Sequence, residues 1–250
     1  MADDLFDAPC PVSLAPLFQA HELSGATDPF ATACAQAALG CDAGLVPYNI
    51  SASRLRAAIV FAPEVALRKA VAMLPLCGVG FQNALGALAP PEVAVHLTWD
   101  GIIRVNGALC GRLRMAASGD DPDTVPDWLV VGVDLNLRPE EGLDPGYSPD
   151  QTSLYLEGCG AVDAARLLEA WVRHTLVWIN RLESDGPKPL HAEWRGLVEE
   201  IGQDVTRDLS GKTFSGRFLG VDEEFGMLIR NDSESHVVPL TDLLENGVKT

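Results

Sequence analysis

The chain has 250 residues and a formal net charge of −17, because 35 acidic side chains stand against only 18 basic ones. Such a charge disfavours nucleic acid and anionic membrane surfaces as partners, since binding to phosphates depends on basic side chains. The length suffices for one large domain, or for one large and one small domain, with a sizeable core. The chain starts without a secretory signal and has no apolar run of membrane-spanning length, which predicts a soluble cytoplasmic protein.

The six cysteines form no CxxC pair and show no zinc spacing. We therefore predict no metal site. In an intracellular protein such thiols are most often small buried side chains, and we expect the same here.

The pattern before residue 93 predicts five segments in chain order: an extended arm over 1–25, a helix between Asp28 and Gly40, strands over 43–48 and 57–62, and a helical region from Pro63 that stops at Pro90. Asp28 and Pro29 are typical of the start of a helix, and Gly40 is typical of a helix end. Small side chains along one side of this first helix indicate that it packs closely on a sheet.

The stretch from Val93 to Met115 has the alternation of a β-hairpin, and Asn-Gly at 106–107 is the dipeptide of a tight type I′ turn. Gly111 interrupts the returning strand, where it permits another backbone or a ligand to approach closely. Trp128 to Arg138 is a continuous apolar strand, which is typical of a strand buried on both sides. We predict that the two stretches lie side by side in one sheet and face a cleft.

The helical period from Asp163 to Leu182 gives way to short strands and turns after Val205. We interpret Ser184-Asp185-Gly186-Pro187 as a linker, followed by one more helix over 190–203. This predicts a first domain over residues 1–187 and a small β domain over residues 188–250.

The two central stretches resemble the biotin/lipoate protein ligase family, and most closely the catalytic domain of biotin protein ligases. The residues that carry this resemblance, at nearly the family spacing, are Trp99, Asn106, Gly107, Gly111, Gly132 and Asn136. A T-S-L stretch at 152–154 and a G-V-D stretch at 220–222 extend it over roughly residues 28–245. The resemblance implies an α/β fold with a mixed sheet, followed by a small SH3-like β-barrel.

Ligases of this family activate a carboxylate with ATP and transfer the acyl group to a lysine of a carrier domain. The resemblance therefore implies ATP and biotin or lipoate as cofactors, a biotinyl or lipoyl carrier domain as partner, and a homodimer formed through the sheet. It also places Gln82 and Trp99 beside the ligand pocket, with the shared asparagines and glycines near them.

The chain departs from the family pattern where the chemistry is expected. Ala108, Leu109 and Cys110 stand where the family has its lysine, and the segment is one residue short. The connection over 47–56 is short and has no glycine, in place of a long loop rich in glycine and arginine.

Arg112 and Arg114 are the candidate replacements for the missing lysine, because alternation puts them on one strand face. A solvated strand face is the alternative, and arginine is not a neutral substitute for lysine. Cys110 leaves two interpretations open: a nucleophilic thiol partnered by His96 or Arg112, and an inert buried thiol. We assign no catalytic residue.

Three hypotheses for the function follow. The first is a diverged family member that binds a biotin-like or acyl carboxylate ligand, with weak or altered transfer activity. The second is an active biotin or lipoate ligase that forms an acyl-adenylate, and the third is a non-catalytic dimeric binding or scaffold protein. The missing lysine and the missing loop favour the first and the third.

Overall fold

The two central stretches form neighbouring strands of one sheet, as the sequence predicts. The structure is a computed structural model and describes residues 12–139, 150–209, 211–231 and 234–245. The returning strand of the hairpin pairs antiparallel with the apolar strand, from Gly111 opposite Leu135 to Ala117 opposite Leu129. The middle of the large sheet therefore consists of these two stretches.

The large sheet has seven strands in the order β1-β2-β3-β7-β6-β5-β4. These strands are β1 (Gln19–Glu22), β2 (Leu45–Ile50), β3 (Arg54–Phe61), β4 (Val95–Leu97), β5 (Ile102–Val105), β6 (Ala108–Ala117) and β7 (Leu129–Asn136). β1 and β2 run parallel, whereas the other described neighbours in this sheet are antiparallel. The mixed sheet confirms the predicted fold class. It also corrects one expectation, because part of the N-terminal arm forms the edge strand β1.

Helices cover the two faces of the sheet unequally. The described α-helices are α1 (Pro29–Ala38), α2 (Leu67–Ala70), α3 (Met73–Leu88), α4 (Ala164–Asp185) and α5 (Lys188–Leu197). Asp28 caps α1, since its carboxylate accepts a hydrogen bond from the Phe30 amide at 3.1 Å. α1 covers one face through a small apolar cluster that includes Phe30, Ala58 and Val130. The larger core lies on the other face, against α3 and α4.

α3 and α4 pack closely because α3 presents small residues to the large side chains of α4. The indole N–H of Trp171 donates to the Cys77 carbonyl at 3.0 Å. A β-carbon on Gly80 would lie 3.0 Å from the Thr175 hydroxyl oxygen, so the two helices meet at this glycine. This close contact fixes α3 on the core face of the sheet.

The segment Leu67–Leu88 is the most apolar helical region of the described chain. It is long and apolar enough to cross a membrane, since an 18-residue window of it has a mean hydropathy of 1.5, but 67 % of that window is buried inside the protein. The expectation that no run reaches spanning length is therefore wrong as stated. Because most of it is buried, this segment is interpreted as a helix of the protein core.

The C-terminal residues form a second, antiparallel sheet of four strands in the order β11-β10-β9-β8. Its strands are β8 (Asp204–Leu209), β9 (Lys212–Val221), β10 (Met227–Arg230) and β11 (Ser235–Val238). A short 3₁₀ turn follows at Leu240–Leu243. The described strands do not close into a barrel, because β8 and β11 lie at opposite edges without pairing. This differs from the closed SH3-like barrel that the sequence predicted.

The two sheets share one apolar core, which includes Trp99 from the β4–β5 connection, Phe218 from β9 and Phe225 from the β9–β10 connection. The linker that the sequence predicted at 184–187 is shorter than expected, since α4 continues to Asp185 and α5 begins at Lys188. The strands after Val205 form their own sheet, and the division into residues 1–187 and 188–250 stays a prediction.

Candidate functional site

Four arginines lie on one face of the large sheet around a single aspartate. Arg112 and Arg114 alternate along β6, and Arg112 is the cross-strand partner of Asp134 on β7. Arg54 and Arg56 follow the same alternation on β3, where Arg56 pairs with Asp134 from the other side. We call Arg54, Arg56, Arg112, Arg114 and Asp134 the arginine face. The sequence prediction that Arg112 and Arg114 share a strand face is confirmed.

A cleft of about 600 Å³ opens between the arginine face and the C-terminal residues. Its volume lies in the range of small-molecule sites. The lining combines apolar and acidic side chains with arginine, among them Ile102, Leu209, Leu244, Asp208, Asp242 and Arg112. Burial raises the pKa of Asp242, and the nearby Lys212 ammonium opposes this rise.

Arg112 is the cation of this cleft that remains available to a ligand. Its side chain is exposed and lines the cleft. It forms no ion pair or hydrogen bond with any residue that the structure describes. A guanidinium in this situation can bind a carboxylate or phosphate with two parallel hydrogen bonds.

Arg114, by contrast, is already bound within the protein. Its Nε and Nη2 atoms donate to the two carboxylate oxygens of Glu245 at 2.8 and 2.6 Å. Its Nη1 atom donates to Asp28 at 3.2 Å, and its guanidinium carbon lies 4.2 Å from the centre of the Phe30 ring. These hydrogen bonds, above all those to Glu245, raise the pKa of Arg114 against the effect of burial. Arg114 therefore joins the sheet, α1 and the C-terminal segment.

The two strand glycines accommodate protein atoms. A β-carbon on Gly111 would lie 2.4 Å from the Asp134 carbonyl oxygen, so this glycine lets β6 and β7 approach. A β-carbon on Gly132 would lie 2.6 Å from a ring carbon of Phe30. The space above Gly132 is thus occupied by the first turn of α1.

The two predicted asparagines hold loops in place. Asn106 and Gly107 have φ of 51° and 89°, as the predicted tight turn requires. The Asn106 amide also donates to the Glu157 carboxylate at 2.8 Å. The Asn136 amide donates to the Thr152 carbonyl at 3.2 Å. Both asparagines therefore anchor the segment that leads into α4.

Gln82 and Trp99 are not brought to the arginine face. Gln82 lies on α3, which packs on the core face of the sheet. Its side-chain oxygen accepts a hydrogen bond from the side-chain amide of Asn83 at 2.7 Å. Trp99 is fully buried in the larger core, and its indole N–H donates to the Phe225 carbonyl at 2.8 Å. This hydrogen bond joins the β4–β5 connection of the large sheet to the β9–β10 connection of the second sheet.

Cys110 and Cys159 lack the surroundings of nucleophiles. Cys110 is fully buried, and burial raises its pKa to about 12. His96 pairs with Arg104 of β5, so a whole strand separates it from Cys110 on β6. Burial likewise raises the pKa of Cys159. In the part of the chain that the structure describes, no group of three His, Cys, Asp or Glu side chains is arranged to hold a metal ion.

Sequence reasoning missed Phe30, Asp134 and Glu245. Asp134 could have been found, because it alternates with Gly132 on the same strand and faces the same way. Phe30 and Glu245 gave no local signal, since each reaches Arg114 across a large separation in sequence.

Comparison with known proteins defines the class to which the protein belongs. The chain is a member of the biotin/lipoate A/B protein ligase family, whose family profile matches residues 14–196. A second profile, a domain of unknown function (DUF4444), matches residues 202–246. The family recognised from the sequence is thereby confirmed.

Individual relatives range from near to remote. A biotin protein ligase-like protein of unknown function from Silicibacter sp. has a crystal structure with 56 % identity and a TM-score of 0.87, covering 94 % of this chain and 100 % of its own. The biotin–[acetyl-CoA-carboxylase] ligase of Paracoccus denitrificans is 22 % identical over 190 residues, covering 76 % of this chain and 79 % of its own. The biotin protein ligase of Aquifex aeolicus, solved with biotin and ATP, has 15 % identity and a TM-score of 0.68, covering 88 % of this chain and 95 % of its own. The Aquifex likeness concerns the fold alone.

Proposed function

We propose that the protein is a diverged family member that binds a biotin-like or acyl carboxylate ligand at the arginine face, with weak or altered transfer activity. The observation that carries this proposal is Arg112, an exposed guanidinium that pairs with none of the described residues and lies beside a cleft of about 600 Å³. The protein carries a net charge of −17, so its overall field repels an anion. A local cation must compensate, because an anion that loses water without a partner is costly to bind.

Replacing Arg112 with alanine is expected to weaken the binding of octanoate, biotin and lipoate about three- to tenfold. The effect is moderate because an exposed ion pair is worth roughly 0–1 kcal/mol, and a paired hydrogen bond adds to this. Isothermal titration of the three acids into the folded protein measures it. Arg217→Ala is the matched control, since Arg217 is an exposed strand arginine of the second sheet. Equal loss in both variants, or no loss in Arg112→Ala, would refute the role of Arg112.

Activation of the carboxylate with ATP is expected to be absent or very slow. The arginine face carries Asp134, and Glu245 and Asp28 neutralise Arg114, so little positive charge remains for the phosphates. Stabilising the charge that gathers on a reacting phosphate requires preorganised cations or hydrogen-bond donors. A pyrophosphate-exchange assay with biotin, lipoate or octanoate should show a signal close to background. The Aquifex aeolicus enzyme, run in parallel, is the positive control.

An active biotin ligase is the second candidate function. The relative from Paracoccus denitrificans favours it, because that protein is named a biotin–[acetyl-CoA-carboxylase] ligase and matches 76 % of this chain. In that case the ligands are biotin and ATP, as in the Aquifex aeolicus complex, and the partner is a biotinyl or lipoyl carrier domain. Exchange at the rate of the positive control would establish this candidate over the first. A homodimer, as expected from the family resemblance, stays a proposal.

A further inference from the structure

Phe30 occupies the space on the arginine face that Gly132 leaves free because it has no side chain. The ring is only 6 % exposed and lies so close to Gly132 that a β-carbon there would be 2.6 Å away. Gly132 is the cross-strand partner of Arg114, whose guanidinium lies over the same ring at 4.2 Å. The phenyl group is thus held between the main chain of β7 and a cation fixed by Asp28 and Glu245.

Almost nothing of this space is open. The cavity bounded by Phe30, Arg56, Arg114, Gly132 and Asp134 measures about 10 Å³. A cavity of that size holds one water molecule at most. A ligand whose carboxylate binds Arg112 can therefore not extend along β7 over Gly132 while the ring is in place.

We propose that Phe30 is a specificity-determining residue, which closes the space over Gly132 against the ring or chain of a ligand the size of biotin or octanoate. This inference rests on the proposed binding of a carboxylate at Arg112. It narrows the natural ligand of this protein to a short carboxylic acid, or to one whose chain lies in the cleft beside the C-terminal residues. Removing the ring exposes apolar walls that include Ala33, Ala58 and Val130.

The test compares propionate, octanoate and biotin as probes, by isothermal titration into the unaltered protein and into Phe30→Ala. We expect Phe30→Ala to bind octanoate and biotin at least tenfold more tightly than the unaltered protein, with no change for propionate. Trp128→Ala is the control, because Trp128 packs on the same apolar cluster without lining the small cavity. If Phe30→Ala does not fold, Phe30→Leu takes its place. We then expect a smaller gain in affinity for octanoate and biotin, and again no change for propionate.

Any new apolar cavity can bind an apolar molecule, so the charge must also be tested. The gain in octanoate affinity should disappear in the double variant Phe30→Ala with Arg112→Ala, and octanamide should show no comparable gain. Equal gains for octanamide and octanoate, or no gain at all, would overturn the role of Phe30.

The two proposals fail in different experiments. If propionate binding to the protein with Phe30 intact does not depend on Arg112, the proposed function fails. If that dependence holds and Phe30→Ala brings no gain for the larger acids, only the inference about Phe30 fails.

Discussion

Replacing Trp99 with alanine should lower the free energy of unfolding by about 3–5 kcal/mol, the usual cost of deleting a buried tryptophan. The side chain is fully buried and belongs to the core that both sheets share. Its loss also leaves the Phe225 carbonyl without the indole donor at 2.8 Å. Urea denaturation followed by far-ultraviolet circular dichroism measures the change without depending on tryptophan fluorescence.

Trp99→Phe separates the two contributions, because it keeps most of the apolar volume and removes only the N–H. We expect it to cost about 1–3 kcal/mol, as for a buried acceptor that loses its partner. A value for Trp99→Ala within about 1 kcal/mol of the unaltered protein, against the cost usual for such a deletion, would mean that the indole is not buried as described.

Replacing Gly111 with alanine should destabilise the protein by about 3 kcal/mol or more, at the upper end for overpacked sites. The new β-carbon would lie 2.4 Å from the Asp134 carbonyl oxygen and 3.0 Å from the Leu135 α-carbon. Both atoms belong to the backbone of β7, which is paired with β3 on its other side. β7 cannot move away from the new β-carbon without breaking its backbone hydrogen bonds to β3 or β6. The strain of the substitution therefore remains in the sheet.

Gly119→Ala is the matched control for this substitution. Gly119 lies two residues after the end of β6, and a β-carbon there would meet no heavy atom within 4 Å. The free energy of unfolding of Gly119→Ala should differ from that of the unaltered protein by less than about 0.5 kcal/mol. The same denaturation experiment applies to both variants, and similar small values for both would contradict the close approach of β6 and β7.

Local patterns predicted the parts of the fold that depend on neighbours in sequence. The alternation along β6 gave the shared face of Arg112 and Arg114, and Asn106-Gly107 gave the turn before it. The apolar run around Gly132 correctly predicted a buried strand, which lies between β3 and β6. These features follow from the period of a strand and from the φ that a type I′ turn requires.

Contacts between distant segments could not be predicted in the same way. The pairing of Arg114 with Glu245 spans 131 residues, and no pattern near either residue indicates it. The helix carrying Gln82 was predicted, but the period of a helix does not say which face of a sheet it covers. The family resemblance placed Gly132 near the ligand pocket, but no pattern around it indicated that Phe30, in the first turn of the helix that begins at Pro29, packs against it.

The composition of the arginine face also affects how fast an anion can arrive. Counted together with Asp28 and Glu245, which pair with Arg114, the arginine face has four arginines and three carboxylates, so one net positive charge remains there in a protein that carries −17. At low ionic strength the repulsion by the whole molecule reaches farther than this local attraction. At about 0.15 M salt the screening length falls to about 8 Å, so an approaching carboxylate senses mainly the nearest guanidinium. Association of an anionic ligand should therefore become faster as salt is added, the reverse of electrostatic steering.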